Sequence, residues 1–142
     1  MTVAVDLATL ARADVPGAVV ERVRAARNVL AVCHENPDAD TLGATLAICR
    51  IVEWLGGRGT PVCTDPVPPL YDFMPGVAGF TTDPDPDAGY DLLVISDCGS
   101  DDRVGAVRDR HPAPFAGLPR VVIHHHASNG GAGGGGLVEP GA

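Results

Sequence analysis

The run Asn28-Val29-Leu30-Ala31-Val32-Cys33, followed by His34-Glu35-Asn36-Pro37-Asp38-Ala39-Asp40, decides how this chain is read. Its first half is a nearly continuous apolar segment, the pattern of a strand buried on both faces of a parallel sheet. Its second half puts one imidazole and two carboxylates in a turn at the end of that strand. In a local extended segment Asp38 and Asp40 leave the backbone on one face, because side chains alternate with a period of two. Two bare anions so placed repel unless a cation sits between them, and a hard divalent metal is the simplest such cation. Turn chemistry is the competing reading: Asn-Pro-Asp is an ordinary turn sequence, and Asp40 or Thr41 could cap the next helix.

Upstream, Val19, Val20, Val23 and Ala26 recur at helical spacing within 16–27, with Asp14 as the expected N-cap. Downstream, Leu42, Leu46, Ile48, Cys49, Val52 and Leu55 form the apolar stripe of a helix over 41–55 that Gly56-Gly57 stops. Trp54 on that helix is expected in the core. A strand is predicted at 60–63, then a Pro- and Asp-rich loop over 65–87 with one helical turn around Leu70, Tyr71, Phe73 and Met74. Asp83 to Asp87, interrupted by prolines, is expected to be a solvated turn, and His111, before Pro112, a solvated loop residue. Two further buried strands are predicted at 91–96 and 119–123, separated by a short helix at 103–107. They end at Asp97 and at His124-His125-His126. The pattern specifies an α/β fold with a mostly parallel sheet flanked by helices, whose functional crevice lies outside the carboxyl ends of the strands.

Length and composition narrow the possibilities. A chain of 142 residues fits one domain with a sizeable core. The formal charge of -8 argues against a sequence-independent grip on long duplex nucleic acid, which needs clustered Lys and Arg. It leaves room for a small phosphorylated substrate where a bound cation supplies the local positive charge. Cys33, Cys49, Cys63 and Cys98 lack C-x-x-C spacing and follow no secretory leader, so reduced, buried thiols are expected. No apolar run reaches the length of a membrane span, and the cytoplasm is the expected compartment.

Brought to neighbouring strand ends, His34, Asp38, Asp40, Asp97, His125 and His126 make a mixed carboxylate and imidazole shell that suits Mn(II) better than a soft metal. A two-metal site is the expected product. Asp97, alone at the end of the central strand, is best placed to bridge the ions.

Over residues 28–140 the sequence resembles the DHH phosphoesterase family, in particular its nanoRNase and pAp phosphatase branch. Residues 34–43 resemble the first family motif, 97–105 (Asp97-Cys98-Gly99-Ser100-Asp101-Asp102-Arg103-Val104-Gly105) the second, and 123–129 (Ile123-His124-His125-His126-Ala127-Ser128-Asn129) the third. The resemblance implies that His34 and Asp38 hold one Mn(II) and Asp40 and His125 the other, with Asp97 bridging and Mg(II) as the alternative ion. It implies that His126 contacts the substrate phosphate, with Arg103 and Asn129 beside it, although Arg103 could equally pair with Asp101 or Asp102. A hydroxide held between the ions would then release mononucleotides from very short oligoribonucleotides, or orthophosphate from 3'-phosphoadenosine 5'-phosphate.

Two departures from the family pattern weaken the expected activity. His124 stands where the motif has Asp, and losing such an outer support lowers metal affinity or activity by about 10- to 100-fold. The chain also stops before a further metal-binding Asp and the substrate-binding C-terminal domain, so it is expected to be a truncated catalytic domain over 1–126 with a frayed, Gly-rich tail over 127–142. The rival expectation is a catalytically inactive metal-binding or oligomerising remnant. Within enzymes, pyrophosphatases, single-strand exonucleases and cyclic-dinucleotide phosphodiesterases use similar motifs.

Overall fold

The structure, a computed structural model, describes residues 16–98, 101–124 and 136–138. Its centre is a five-stranded, wholly parallel sheet of strands β1 (Asn28–Cys33), β2 (Arg58–Val62), β3 (Leu92–Ser96), β4 (Arg120–His124) and β5 (Gly136–Val138), in the order β2-β1-β3-β4-β5. The apolar runs at 28–33, 91–96 and 119–123 form strands as their composition requires. Such runs bury both faces of a sheet, and a sheet buried on both faces needs helices above and below.

The alternation along each strand sorts two cores. Val29, Ala31, Leu92, Val94 and Val121 face one side, against Val19 of helix α1 (Gly17–Ala25) and Ile48, Cys49 and Val52 of helix α2 (Ala39–Trp54). Leu30, Val32, Leu93, Ile95 and Val122 face the other, against Val107 of α3 (Ala106–Arg110) and Phe115 of α4 (Pro112–Gly117). The start of β1 is pinned by Asp91, whose carboxylate accepts the backbone N–H of Arg27 at 2.8 Å and of Asn28 at 3.1 Å.

Several local expectations change. Helix α1 is preceded by Pro16, and Asp14 lies outside the described residues. Trp54 is 85 % exposed rather than core, because it lies two residues beyond the buried Val52 and so on the opposite face of α2. Strand β2 begins at Arg58, two residues early, since Gly59 lets it press against Cys49. The loop over 65–87 holds two 3-10 turns, Pro69–Tyr71 and Val77–Gly79, and its Tyr71, Met74 and Phe80 pack over Cys33, Leu42 and Cys63. His111 is not a solvated loop residue: it sits between α3 and α4, 14 % exposed, with Nε2 2.7 Å from Asp83 Oδ1. Helix α4 begins at Pro112, where a loop is expected, since Pro at the first helical position is favourable. In the segment assigned to a frayed tail, Gly136–Val138 form β5 on the open edge of β4.

All four cysteines are buried thiols outside any disulfide. Burial, with Glu53 nearby, pushes the Cys49 thiol from its ordinary 9.0 up to about 12. The unfolded chain loses that proton near its ordinary value while the folded chain keeps it, so stability falls as pH rises from about 9 toward about 12. Urea midpoints measured at about pH 8 and about pH 10 should show the drop, and Cys49→Ser should reduce it, the remainder coming from Cys33, whose thiol is also pushed up by its hydrogen bond with Cys63 and by burial. Independently, a Cβ at Gly59 would lie 2.7 Å from Cys49 Cα, so Gly59→Ala should cost about 1–3 kcal/mol in urea unfolding.

Candidate metal centre

Parallel strands all deliver their carboxyl ends to one edge of the sheet. In the order β2-β1-β3-β4-β5 the chain turns outward to β2 from β1, then returns to β3 on β1's other side. The seam between β1 and β3 is therefore the topological switch point, where open α/β sheets form their crevice. His34 follows β1 and Asp97 follows β3 on the two sides of that seam.

His34, Asp38 and Asp97 converge there, with one potential ligand atom from each lying within 4.8 Å of the others. His34 Nε2 lies 3.7 Å from Asp38 Oδ1 and 3.6 Å from Asp97 Oδ2. His34 and Asp97 are buried, while the Asp38 side chain is 56 % exposed, so the cluster opens to solvent on the Asp38 side. Asn36 and Asp97 have positive φ, 51° and 57°, in the left-handed region that non-glycine residues rarely adopt. Both kinks re-aim the chain at the cluster. Asp97 keeps the sheet ladder as it turns, its N–H donating to the Ile123 carbonyl.

The helix that follows welds the site together. Asp38 is extended (φ -107°, ψ 179°), and its Oδ1 accepts the Thr41 N–H at 3.0 Å, making it the N-cap of α2. Capping and ligation are thus not alternatives, since one carboxylate has lone pairs for both. The Thr41 hydroxyl, fully buried, donates to the Ser96 carbonyl at 2.9 Å and accepts the His34 N–H at 3.3 Å. Sequence reasoning treated Thr41 only as a possible cap. The overlooked signal is that Thr41 and Thr45 continue the apolar stripe of Leu42, Ile48 and Val52, a position where a hydroxyl must find a buried partner.

The donor set fits a divalent cation. His34 Nδ1 lies 2.7 Å from the Glu35 carbonyl oxygen, which only accepts, so Nδ1 carries a proton and donates it. In the neutral ring this turns the Nε2 lone pair toward the two carboxylates. At 3.6 and 3.7 Å these contacts are too long for hydrogen bonds. They leave the three donors close enough together that one divalent cation could take an atom from each.

The other candidates are less gathered. Helix α2 begins at Ala39, so Asp38 and Asp40 do not share the extended segment the sequence suggested; Asp40 is exposed in the first turn, outside the group of three. Arg103 is exposed in the 3-10 turn Asp101–Val104, and Asp102 pairs with Arg108 at 2.7 Å instead. Strand β4 ends at His124; His125, His126 and Asn129 lie outside the described residues. Asp83, Asp85 and Asp87 form no metal cluster, and His34, Asp38 and Asp97 are the one such group among the described residues. No helix among the described residues is long and apolar enough to cross a membrane.

No family model matches the sequence. Among solved structures, an exopolyphosphatase-related protein from Bacteroides fragilis superposes with a TM-score of 0.73 at 16 % identity, covering 99 % of this chain and 41 % of its own. The likeness establishes a shared fold. The chain spans less than half the length of that neighbour.

Thr41→Val keeps the shape of the side chain but strips a buried N–H and a buried carbonyl of their partner. It should cost about 1–3 kcal/mol by chemical denaturation, whereas Thr41→Ser should stay close to the parent.

Proposed function

We propose that this chain is the metal-binding domain of a phosphoester hydrolase of the DHH type, acting on small phosphorylated nucleotides or very short oligoribonucleotides. The observation that carries the reading is His34, whose Nε2 faces Asp38 and Asp97 at 3.7 and 3.6 Å while the Glu35 carbonyl holds Nδ1. Three motif segments in the family's order, and a fold shared with an exopolyphosphatase-related protein, support the same reading.

In the proposed arrangement His34 and Asp38 would hold one Mn(II), Asp40 and His125 would hold the other, and Asp97 would serve both. His126, Arg103 and Asn129 orient the substrate phosphate. Bound Mn(II), or Mg(II), supplies a water acidified to near neutrality and positive charge against the phosphoryl oxygens. The chain's own part is to hold the donors. Burial of His34 and Asp97 fixes their positions, and the first turn of α2 points its N–H groups toward this edge, which favours an anionic group. The exposed side of Asp38 leaves a path for a small substrate.

Mn(II) titration, followed by product release from a diribonucleotide, 3'-phosphoadenosine 5'-phosphate, pyrophosphate and short polyphosphate, tests the proposal. Saturable uptake that His34→Ala and Asp97→Asn weaken by at least about 10-fold, with metal-dependent release from one of these, is the expected result. Uptake without release supports a non-catalytic metal-binding or oligomerising module, and absence of uptake removes the reading altogether. In the same assay, His124→Asp should raise Mn(II) affinity or turnover by about 10-fold, the lower end of what an outer carboxylate support contributes.

A further inference from the structure

We propose that Thr64 and Gly105 form a staple that positions the His34 imidazole, a role that rests on the metal-site reading above and extends it to two residues outside the donor set. The ring is held through its Nδ1–H by the carbonyl of Glu35, and Glu35 is held in turn by its own N–H, which donates to the Arg103 carbonyl at 2.7 Å. How the His34 ring lies therefore depends on how the segment 103–105 lies.

Thr64, just beyond the end of β2 and 8 % exposed, sets that segment. Its hydroxyl donates to the Val104 carbonyl at 2.6 Å and accepts the Val107 N–H at 3.2 Å, bracketing Gly105 from both sides. Arg110 reinforces the same point by donating to the Thr64 carbonyl at 3.1 Å. Gly105 itself has φ 91° and ψ -158°, a conformation open essentially to glycine alone. A Cβ there would lie 2.8 Å from Thr64 Oγ1 and 3.0 Å from Glu35 Cβ. Three segments, from the ends of β1 and β2 and from the stretch leading into α3, thus meet at one glycine with no space left over.

Both residues act through the Arg103 carbonyl and the Glu35 backbone, so they are positioning residues and not ligands. Removing the hydroxyl orphans a carbonyl and an N–H on either side of Gly105, releases the Arg103 carbonyl from its place, and with it the partner of Nδ1–H. The imidazole is then free to turn away from the Glu35 carbonyl, and its Nε2 loses its fixed aim at the carboxylates.

Nitrogen-proton NMR of the His34 ring in the metal-free protein at neutral pH, together with Mn(II) affinity, separates positioning from general packing. The parent and Thr64→Ser should show a slowly exchanging Nδ1–H bonded to the Glu35 carbonyl and equal affinity, while Thr64→Val should lose the protection of that proton and bind Mn(II) about 10-fold more weakly. Should Thr64→Val not fold, Thr64→Ala, which adds no methyl against the Val104 carbonyl, takes its place. Gly105→Ala should move both readouts the same way. The staple is overturned if Thr64→Val keeps the parent's protected Nδ1–H and affinity, or if Thr64→Ser fails as badly as Thr64→Val. If the parent takes up no Mn(II), the metal reading fails on its own, and the Nδ1–H protection comparison alone decides whether the staple exists.

Discussion

A single buried hydroxyl ties together the carboxyl edge of this sheet at the ends of β1 and β3. Thr41 Oγ1 takes the N–H of His34 and gives its proton to the carbonyl of Ser96, so the first turn of α2 is tied at once to the exits of β1 and β3. Backbone groups at the ends of those strands have left the ladder and need partners, because the edge is buried. Thr41 provides them, and in doing so fixes the separation of His34 and Asp97. The Asp38 cap adds the third donor from the same helical turn.

The architecture was legible because its strands advertise themselves. Asn28–Cys33 and Leu92–Ser96 are unbroken apolar runs that end at ionisable residues, and in a parallel sheet that combination can point only to one edge. What escaped the sequence is what long-range packing decides. Trp54 sits in an apolar window, yet two residues of helical rotation carry it to solvent. His111 and Pro112 read as a loop, yet the chain turns Pro112–Gly117 into α4 and buries Phe115. His111 found Asp83, 28 residues away, a pairing no local pattern encodes. Asp40 was grouped with Asp38 on the assumption of extended backbone, and the helix started one residue after Asp38.

The centre also illustrates where a fold accommodates strain. Among the described residues, the two non-glycine residues with positive φ, Asn36 and Asp97, both lie in the turns that form the cluster, and such conformations cost of order 1–3 kcal/mol each. The surrounding bonds over-determine them: Asp97 is clamped by the Ile123 carbonyl, and the turn containing Asn36 lies between Glu35, bonded to Arg103, and the Asp38 cap. An imidazole lone pair aimed at two carboxylates is unfavourable in isolation and becomes favourable when a divalent cation completes the set.

Diffraction from crystals soaked in Mn(II), recorded at the manganese absorption edge, addresses that claim most directly. The account predicts an anomalous peak about 2.1 to 2.3 Å from His34 Nε2 and from a carboxylate oxygen of each of Asp38 and Asp97. A fully soaked crystal with no peak between these three side chains, or with manganese bound only elsewhere, would contradict it.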